Sequence, residues 1–171
     1  MILQKLGYKE HIIELKSRLI KILIFYVCSV GFSYLFIERI YNILLIPIQS
    51  VLHNNKIIYT NLTEVFLTYL SLSLTTAAIL TLPWLNFQIY QFLKPALYPH
   101  EKKVALIILL CSPILFIIGA SFAFFVVIPK AWAFFIGFEQ HNNITDLILE
   151  AKISEYVNLI SEIIIAFGIA F

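Results

Sequence analysis

Charge is the first thing this chain lacks. Aspartate, glutamate, lysine and arginine make up 13% of its 171 residues, about half the share of an ordinary soluble domain. The balance is only +2 and forms no basic patch, so a nucleic-acid surface is excluded. Cysteine occurs twice, as Cys28 and Cys111, each inside an apolar run. Neither stands in a CxxC or a Cys/His ligand spacing, so both read as small apolar packing residues. There is no GxSxG, no HExxH, no glycine-rich phosphate loop and no pair of acids deep in an apolar run. No catalytic constellation is therefore expected, and no cofactor or metal. His11, His53, His100 and His141 lie outside the apolar runs with no shared helical spacing, and read as surface histidines. The opening stretch is basic but has no small-residue cleavage site, so it is not expected to be a secretory leader.

Apolar residues fill the space that charge leaves. They make up 61% of the chain, and the mean hydropathy is +0.92. Long uncharged runs at this composition place the chain in the membrane class. The expected fold is all-α: a multi-span helical bundle with three full transmembrane helices and the start of a fourth. It forms one domain over 1–171, with spans near 19–37, 65–85, 104–128 and 156–171. Gly31 and Ser33 in the first span, and Gly119, Ala120 and Ser121 in the third, are small enough for close helix crossings. Pro83 and Pro113 should kink their helices, and Trp84 reads as an interfacial anchor.

Residues 1–18 form a basic, amphipathic lead-in. His11, Glu14, Arg18 and Lys21 recur at three- and four-residue steps, so they share a helical face. Ile12, Leu15 and Leu19 share the next face, a pattern suited to the headgroup layer. Glu14 and Arg18 are spaced as an i,i+4 pair, worth ~0.3–0.5 kcal/mol if exposed. Between the first two spans, Ile43 to Leu52 is apolar, too short to cross and interrupted by Pro47, so it reads as an interfacial or re-entrant helix. Asn54 and Asn55 break it, and Thr63-Glu64 sits where a helix cap and first-turn acid belong. Two N-x-T triplets, at Asn61 and Asn143, fit glycosylation acceptors but also chance in an Asn-rich chain. Glu162 lies inside the fourth run, where an acid is a functional candidate by default.

The connector Gln88 to Lys103, QIYQFLKPALYPHEKK, is short, aromatic and basic at its end. Asn86, Gln88 and Gln91 supply hydrogen-bonding side chains where the second span reaches water. Glu101 follows Pro99 and so falls in a helix's first turn, where acids stabilise the positive end. Lysine and arginine number five in the N-terminal segment and three in the connector, against two in each of the loops 38–64 and 130–155. The N-terminus and connector are therefore expected on the cytoplasmic or matrix side.

At these residues the chain resembles a known family. The stretch from His11 to Leu19, HIIELKSRL, is similar to the HLxELRxRL opening of TatC, the receptor subunit of the twin-arginine protein translocase. Tyr90-Gln-Phe92, Pro95-Ala-Leu-Tyr98 and Glu101-Lys102-Lys103 resemble that family's YQxWxFxxPGLYxxERR connector. Ser112, Leu115-Phe116, Gly119, Phe122 and Phe125 to Pro129 resemble its SxxLFxxGxxFxYFVVxP third span. Ala166 to Phe171 is similar to the start of its FGxxFE fourth span. The resemblance covers nearly the whole chain in the family's order.

It implies a receptor, not an enzyme. TatC-like proteins bind twin-arginine signal peptides of folded cargo. They recruit TatA- and TatB-type single-span partners and draw on proton-motive force. The acids that meet the paired arginines carry over to Glu14 and Glu101. Phe92, Pro95 and Tyr98 carry over as parts of the connector that shapes the site. Pro47 matches a proline of the first external loop. Lys16, Arg18, Lys102 and Lys103 are supporting candidates, although lysine stands at 16, 102 and 103 where the family usually has arginine. Lysine keeps the charge and loses planar bidentate bonding. Ala96 replaces a glycine, and Glu162 stands where the family is usually apolar. A homo-oligomer within a complex is implied, in a bacterial cytoplasmic membrane or an organellar inner membrane. The family has six spans, and this chain stops at Phe171, just before the fourth span's glutamate; a partial sequence and an inactive fragment both fit that ending. The competing class is a non-catalytic membrane scaffold or small-solute carrier, in which neither Glu14 nor Glu101 meets a signal peptide.

Overall fold

The computed structural model describes residues 2–49, 62–139 and 152–171. Asn54, Asn55, both N-x-T asparagines, His53 and His141 lie outside them, so the expectations placed there are not addressed. Among the described residues the secondary structure is helical: α1 (Ile2–Leu35), α2 (Ile37–Gln49), α3 (Leu62–Leu93), α4 (Pro99–Phe122), a π-helical turn (Ala123–Val127), α5 (Ile128–Glu139) and α6 (Ile153–Ala170). Among the described residues four stretches are long and apolar enough to cross a membrane: His11–Leu35, Thr63–Leu93, His100–Phe135 and Ile153–Ala170. In hydrocarbon every backbone N–H and C=O must be satisfied within the segment, and only the helix does that for a single run. Four hydroxyls in these runs are satisfied within their own helix: Thr68, Ser73, Thr81 and Ser121 each donate to the carbonyl four residues back, at 2.7 Å. Cys28 and Cys111 are exposed instead of packed, as are large apolar side chains such as Leu23, Ile107 and Ile117. Exposed apolar surface of that extent fits lipid, not water.

Two helices run further than the expected spans. α3 continues through Pro83 and Trp84 to Leu93. Its Trp84 ring packs on Phe25 with centroids 5.3 Å apart. The third run was expected to end near Pro129, yet helix persists as α5 to Glu139. The π turn explains why. In an uninterrupted α-helix Pro129 would strike the carbonyl of Phe125. Here the Ile128 N–H bonds to the Ala123 carbonyl, five residues back, and the widened turn relieves that clash. Pro47 likewise lies inside a helix, α2, which accounts for most of the apolar segment expected to be interfacial.

The chain divides into two compact units, residues 1–33 with 76–114, and 34–75 with 115–171. The second holds the apolar core: Leu44, Leu72, Ile128, Trp132, Tyr156, Val157 and Ile160 are buried together. Tyr156 donates its hydroxyl to the Leu44 carbonyl at 2.8 Å, and its ring packs on Trp132, centroids 5.2 Å apart. Burial, with Tyr69 adding, raises the pKa of Tyr41 on α2 above its ordinary value, so it stays a neutral phenol. α4 and α6 approach most closely at two glycines. A Cβ on Gly119 would lie 2.5 Å from the Phe167 carbonyl oxygen, and one on Gly168 would lie 2.5 Å from the Phe116 ring. Of the small residues singled out from sequence, Gly119 makes a tight crossing, whereas a Cβ on Gly31 would meet nothing within 4 Å. Glu64, in the first turn of α3, accepts hydrogen bonds from the Ser154 hydroxyl (2.7 Å) and N–H (3.4 Å) at the start of α6. Thr63 is already helical.

Candidate functional site

The first unit contains Glu14, Arg18, the connector and Glu101. On α1 the i,i+4 spacing puts Arg18 against Glu14. Arg18 Nη2 lies 2.6 Å and Nε 3.1 Å from the same carboxylate oxygen, Glu14 Oε1. Both are charge-assisted contacts of the strong class. The other side of the guanidinium reaches the last turns of α3. Nη1 donates to Gln91 Oε1 at 2.9 Å and to Gln88 Oε1 at 3.4 Å, and Nη2 to the Gln91 carbonyl at 3.3 Å. The Arg18 side chain is only 16% exposed, against 39% for Glu14. Ile13, Glu14, Ser17, Arg18, Lys21 and Gln91 line an open pocket of 380 Å³ over this pair.

Beside it, the His11 ring stacks on Phe92, centroids 4.6 Å apart and planes 21° from parallel. His11 is thus part of the cluster and not an isolated surface histidine. Sequence spacing offered no sign of this, because the stacking partner comes from another helix. Gln88 and Gln91, expected to supply hydrogen-bonding side chains at this end of the span, do so by holding a cation.

The connector Lys94 to Tyr98 separates α3 from α4. Pro99 opens α4, and the Glu101 carboxylate turns back so that its Oε2 accepts the Tyr98 N–H at 3.0 Å. The Glu101 and Lys102 N–H groups bond in turn to the Tyr98 carbonyl, at 3.0 and 3.1 Å. This is a helix start with proline at the first position and an acid at the third reaching back to the cap. The Tyr98 side chain is left exposed and stacks on His100, centroids 6.0 Å apart. Pro95, Lys103 and Lys16 are exposed, and Lys102 is half-buried. Pro47 is buried on α2 and belongs to the second unit.

Glu14 and Glu101 share one feature that matters for chemistry. Each has one oxygen committed, to Arg18 and to the Tyr98 N–H respectively. The other oxygen lies 3.8 Å from His11 Nδ1 in Glu14 and 3.9 Å from His100 Nε2 in Glu101. Each carboxylate therefore keeps acceptor capacity for an incoming N–H donor. Below α1's polar turn, Leu19, Ile20, Leu23, Tyr26, Ala78 and Leu82 line an apolar groove of 470 Å³ against α3. Among the described residues no group of His, Cys, Asp and Glu is placed to hold a metal ion. Glu162 is exposed on α6, in the second unit.

Comparison with known proteins gives a consistent picture. The family described as the Sec-independent protein translocase protein, TatC, matches residues 10–171. The chain is 46% identical over 167 residues to a Sec-independent protein translocase protein TatC of Rickettsia prowazekii, covering 96% of this chain and 66% of that protein. It is 33% identical over 165 residues to an uncharacterised TatC-like protein of Reclinomonas americana, covering 94% of this chain and 61% of that one. It also superimposes on a crystal structure of the twin-arginine translocase receptor TatC with a TM-score of 0.78 at 32% identity, covering 94% of this chain and 69% of that one. The chain spans just under two thirds of the length of the curated relatives it matches.

Proposed function

The chain belongs to the TatC family of Sec-independent protein translocase proteins, and from that premise we propose that it is the receptor part of a twin-arginine translocase. It is an integral membrane protein, and its relatives are transport components. In this reading Glu14 and Glu101 receive the paired arginines of a signal peptide. Phe92, Pro95 and Tyr98 shape the surface around them, and Lys16, Arg18, Lys102 and Lys103 set the surrounding charge. Pro47 acts apart from this site, in the packing of α2. The excess of lysine and arginine in the N-terminal segment and connector puts this site on the cytoplasmic or matrix face. TatA- and TatB-type helices and further copies of the chain complete the complex, in a bacterial cytoplasmic membrane or a mitochondrial inner membrane. The relative from Reclinomonas americana keeps both membranes in play.

The observation that carries the proposal is the pair of half-committed carboxylates within one unit, each beside an aromatic side chain. Two charge-assisted contacts contribute ~1.5–3 kcal/mol each, whereas micromolar binding needs about 8 kcal/mol. The apolar segment of a signal peptide supplies the remainder by burial, for which the groove at Leu19, Leu23 and Leu82 is the matching surface. The test is photocrosslinking of a twin-arginine signal peptide to the intact protein in membranes. Glu14→Ala and Glu101→Ala are each expected to cut the yield by about tenfold or more. Undiminished crosslinking in both variants rejects the receptor site and leaves the scaffold reading.

A further inference from the structure

Arg18 does more than pair with its helical neighbour. Its guanidinium makes two contacts to one oxygen of Glu14, at 2.6 and 3.1 Å. An incoming arginine side chain would want the same place. That oxygen, Oε1, is therefore already held by a cation of the type that the proposed visitor carries, while Oε2 keeps its acceptor capacity. Arg18 also has somewhere else to bond. Gln91 Oε1, Gln88 Oε1 and the Gln91 carbonyl lie within 3.4 Å of its Nη atoms. They are neutral acceptors on α3, so Arg18 keeps hydrogen bonds if Glu14 is taken away from it. At 16% exposure it needs them, because a cation with little water and no acceptor is strongly destabilised.

We infer that Arg18 is a specificity-determining residue: it occupies Glu14 Oε1 in the unliganded protein, and a visitor that engages the whole carboxylate displaces it from that oxygen, leaving it on the Gln88–Gln91 acceptors it already holds. The inference rests on the receptor reading given above. Selection between cations follows from the exchange. A visiting guanidinium restores to Glu14 the same planar, charge-assisted bonds that Arg18 gives up, so the exchange is close to balanced. A visiting ammonium offers a point charge, holds its water more tightly and lacks the fork geometry. It must displace a better-matched resident and is rejected. Without Arg18 the same carboxylate is open to either cation, and the preference for arginine shrinks to what the two side chains offer in isolation.

The experiment measures equilibrium binding of two synthetic peptides to the full-length protein in lipid nanodiscs. Both peptides carry the same apolar stretch, preceded in one by Arg-Arg and in the other by Lys-Lys. In the unaltered protein the arginine peptide binds more tightly. In Arg18→Gln the ratio of the two affinities should fall by about tenfold, mainly because the lysine peptide gains. Arg18→Lys preserves the charge and guards against a variant that fails to fold; its resident ammonium is the weaker competitor, and its ratio should also fall, by about threefold. A ratio that stays constant in both variants, including the case where both peptides weaken in parallel, overturns the inference and leaves Arg18 as a structural link between α1 and α3. Glu14→Gln separates the two levels of the argument. If it and Glu101→Gln both leave the two peptides' affinities unchanged, the receptor reading itself fails, whatever Arg18 does.

Discussion

The two compact units are held together by different chemistry. In the first, the contacts that define the site are polar and half-exposed: Glu14 with Arg18, Arg18 with Gln88 and Gln91, and Glu101 with the Tyr98 N–H. In the second, the defining contacts are close and mostly dry: Val157 and Ile160 are 1% and 0% exposed, and α4 meets α6 with no room for a Cβ at Gly119. Exposed polar contacts contribute little to folding and can be exchanged for those of a visitor. Close-packed contacts tolerate neither loss nor addition of a methyl group without cost. In the proposed reading the chain thus separates the residues that meet other molecules from those that keep it folded.

That contrast can be broken most directly at Gly119. Valine there forces its side chain into the Phe167 backbone, which has no flexible end to move aside. Gly119→Val should cost about 3 kcal/mol, read as a lowered unfolding midpoint in detergent and a reduced level of intact protein in the membrane. A thermal midpoint equal to the unaltered protein's would mean that the α4–α6 approach is looser than it looks. A smaller effect is expected at Tyr156. Tyr156→Phe keeps the ring on Trp132 and removes the bond to the Leu44 carbonyl, costing about 1 kcal/mol of stability. Signal-peptide affinity should not change, and a selective loss of binding there would show that the division of labour is wrong. The smallest expected effect sharpens the other side. His11→Ala removes the stacked ring from Phe92, worth about 0.5–1 kcal/mol. It should appear as a few-fold weaker peptide crosslinking, with the unfolding midpoint lowered no more than in Tyr156→Phe.

Much of the first unit's site was legible in advance, because it depends on short spacings. Glu14 and Arg18 pair because four residues make one helical turn. Glu101 reaches the Tyr98 N–H because Pro99 fixes where α4 begins. Contacts between distant segments were less accessible. Nothing in the spacing of His11 indicates that Phe92 will lie under its ring, and nothing in Glu64 indicates that Ser154, 90 residues later, will donate to it. Both need the packing of whole helices before the partner can be identified. The third helical run also outran its uncharged stretch, passing Pro129 on the way. Proline stops a helix through its clash with the carbonyl four residues back, and that rule assumes α geometry in the preceding turn. The π turn at Ala123–Val127 removes the assumption, and α5 continues past it.

That turn has a consequence for how this stretch tolerates change. A loop closed five residues back takes in one more residue than its α counterpart, so everything downstream is set round the helix axis by about 100° relative to an unbroken rod. Trp132 meets Tyr156 at that azimuth. Deleting a single residue between Ala123 and Val127 would bring back the proline clash and at the same time swing the indole away from its partner, so a one-residue change would disturb the core beside it.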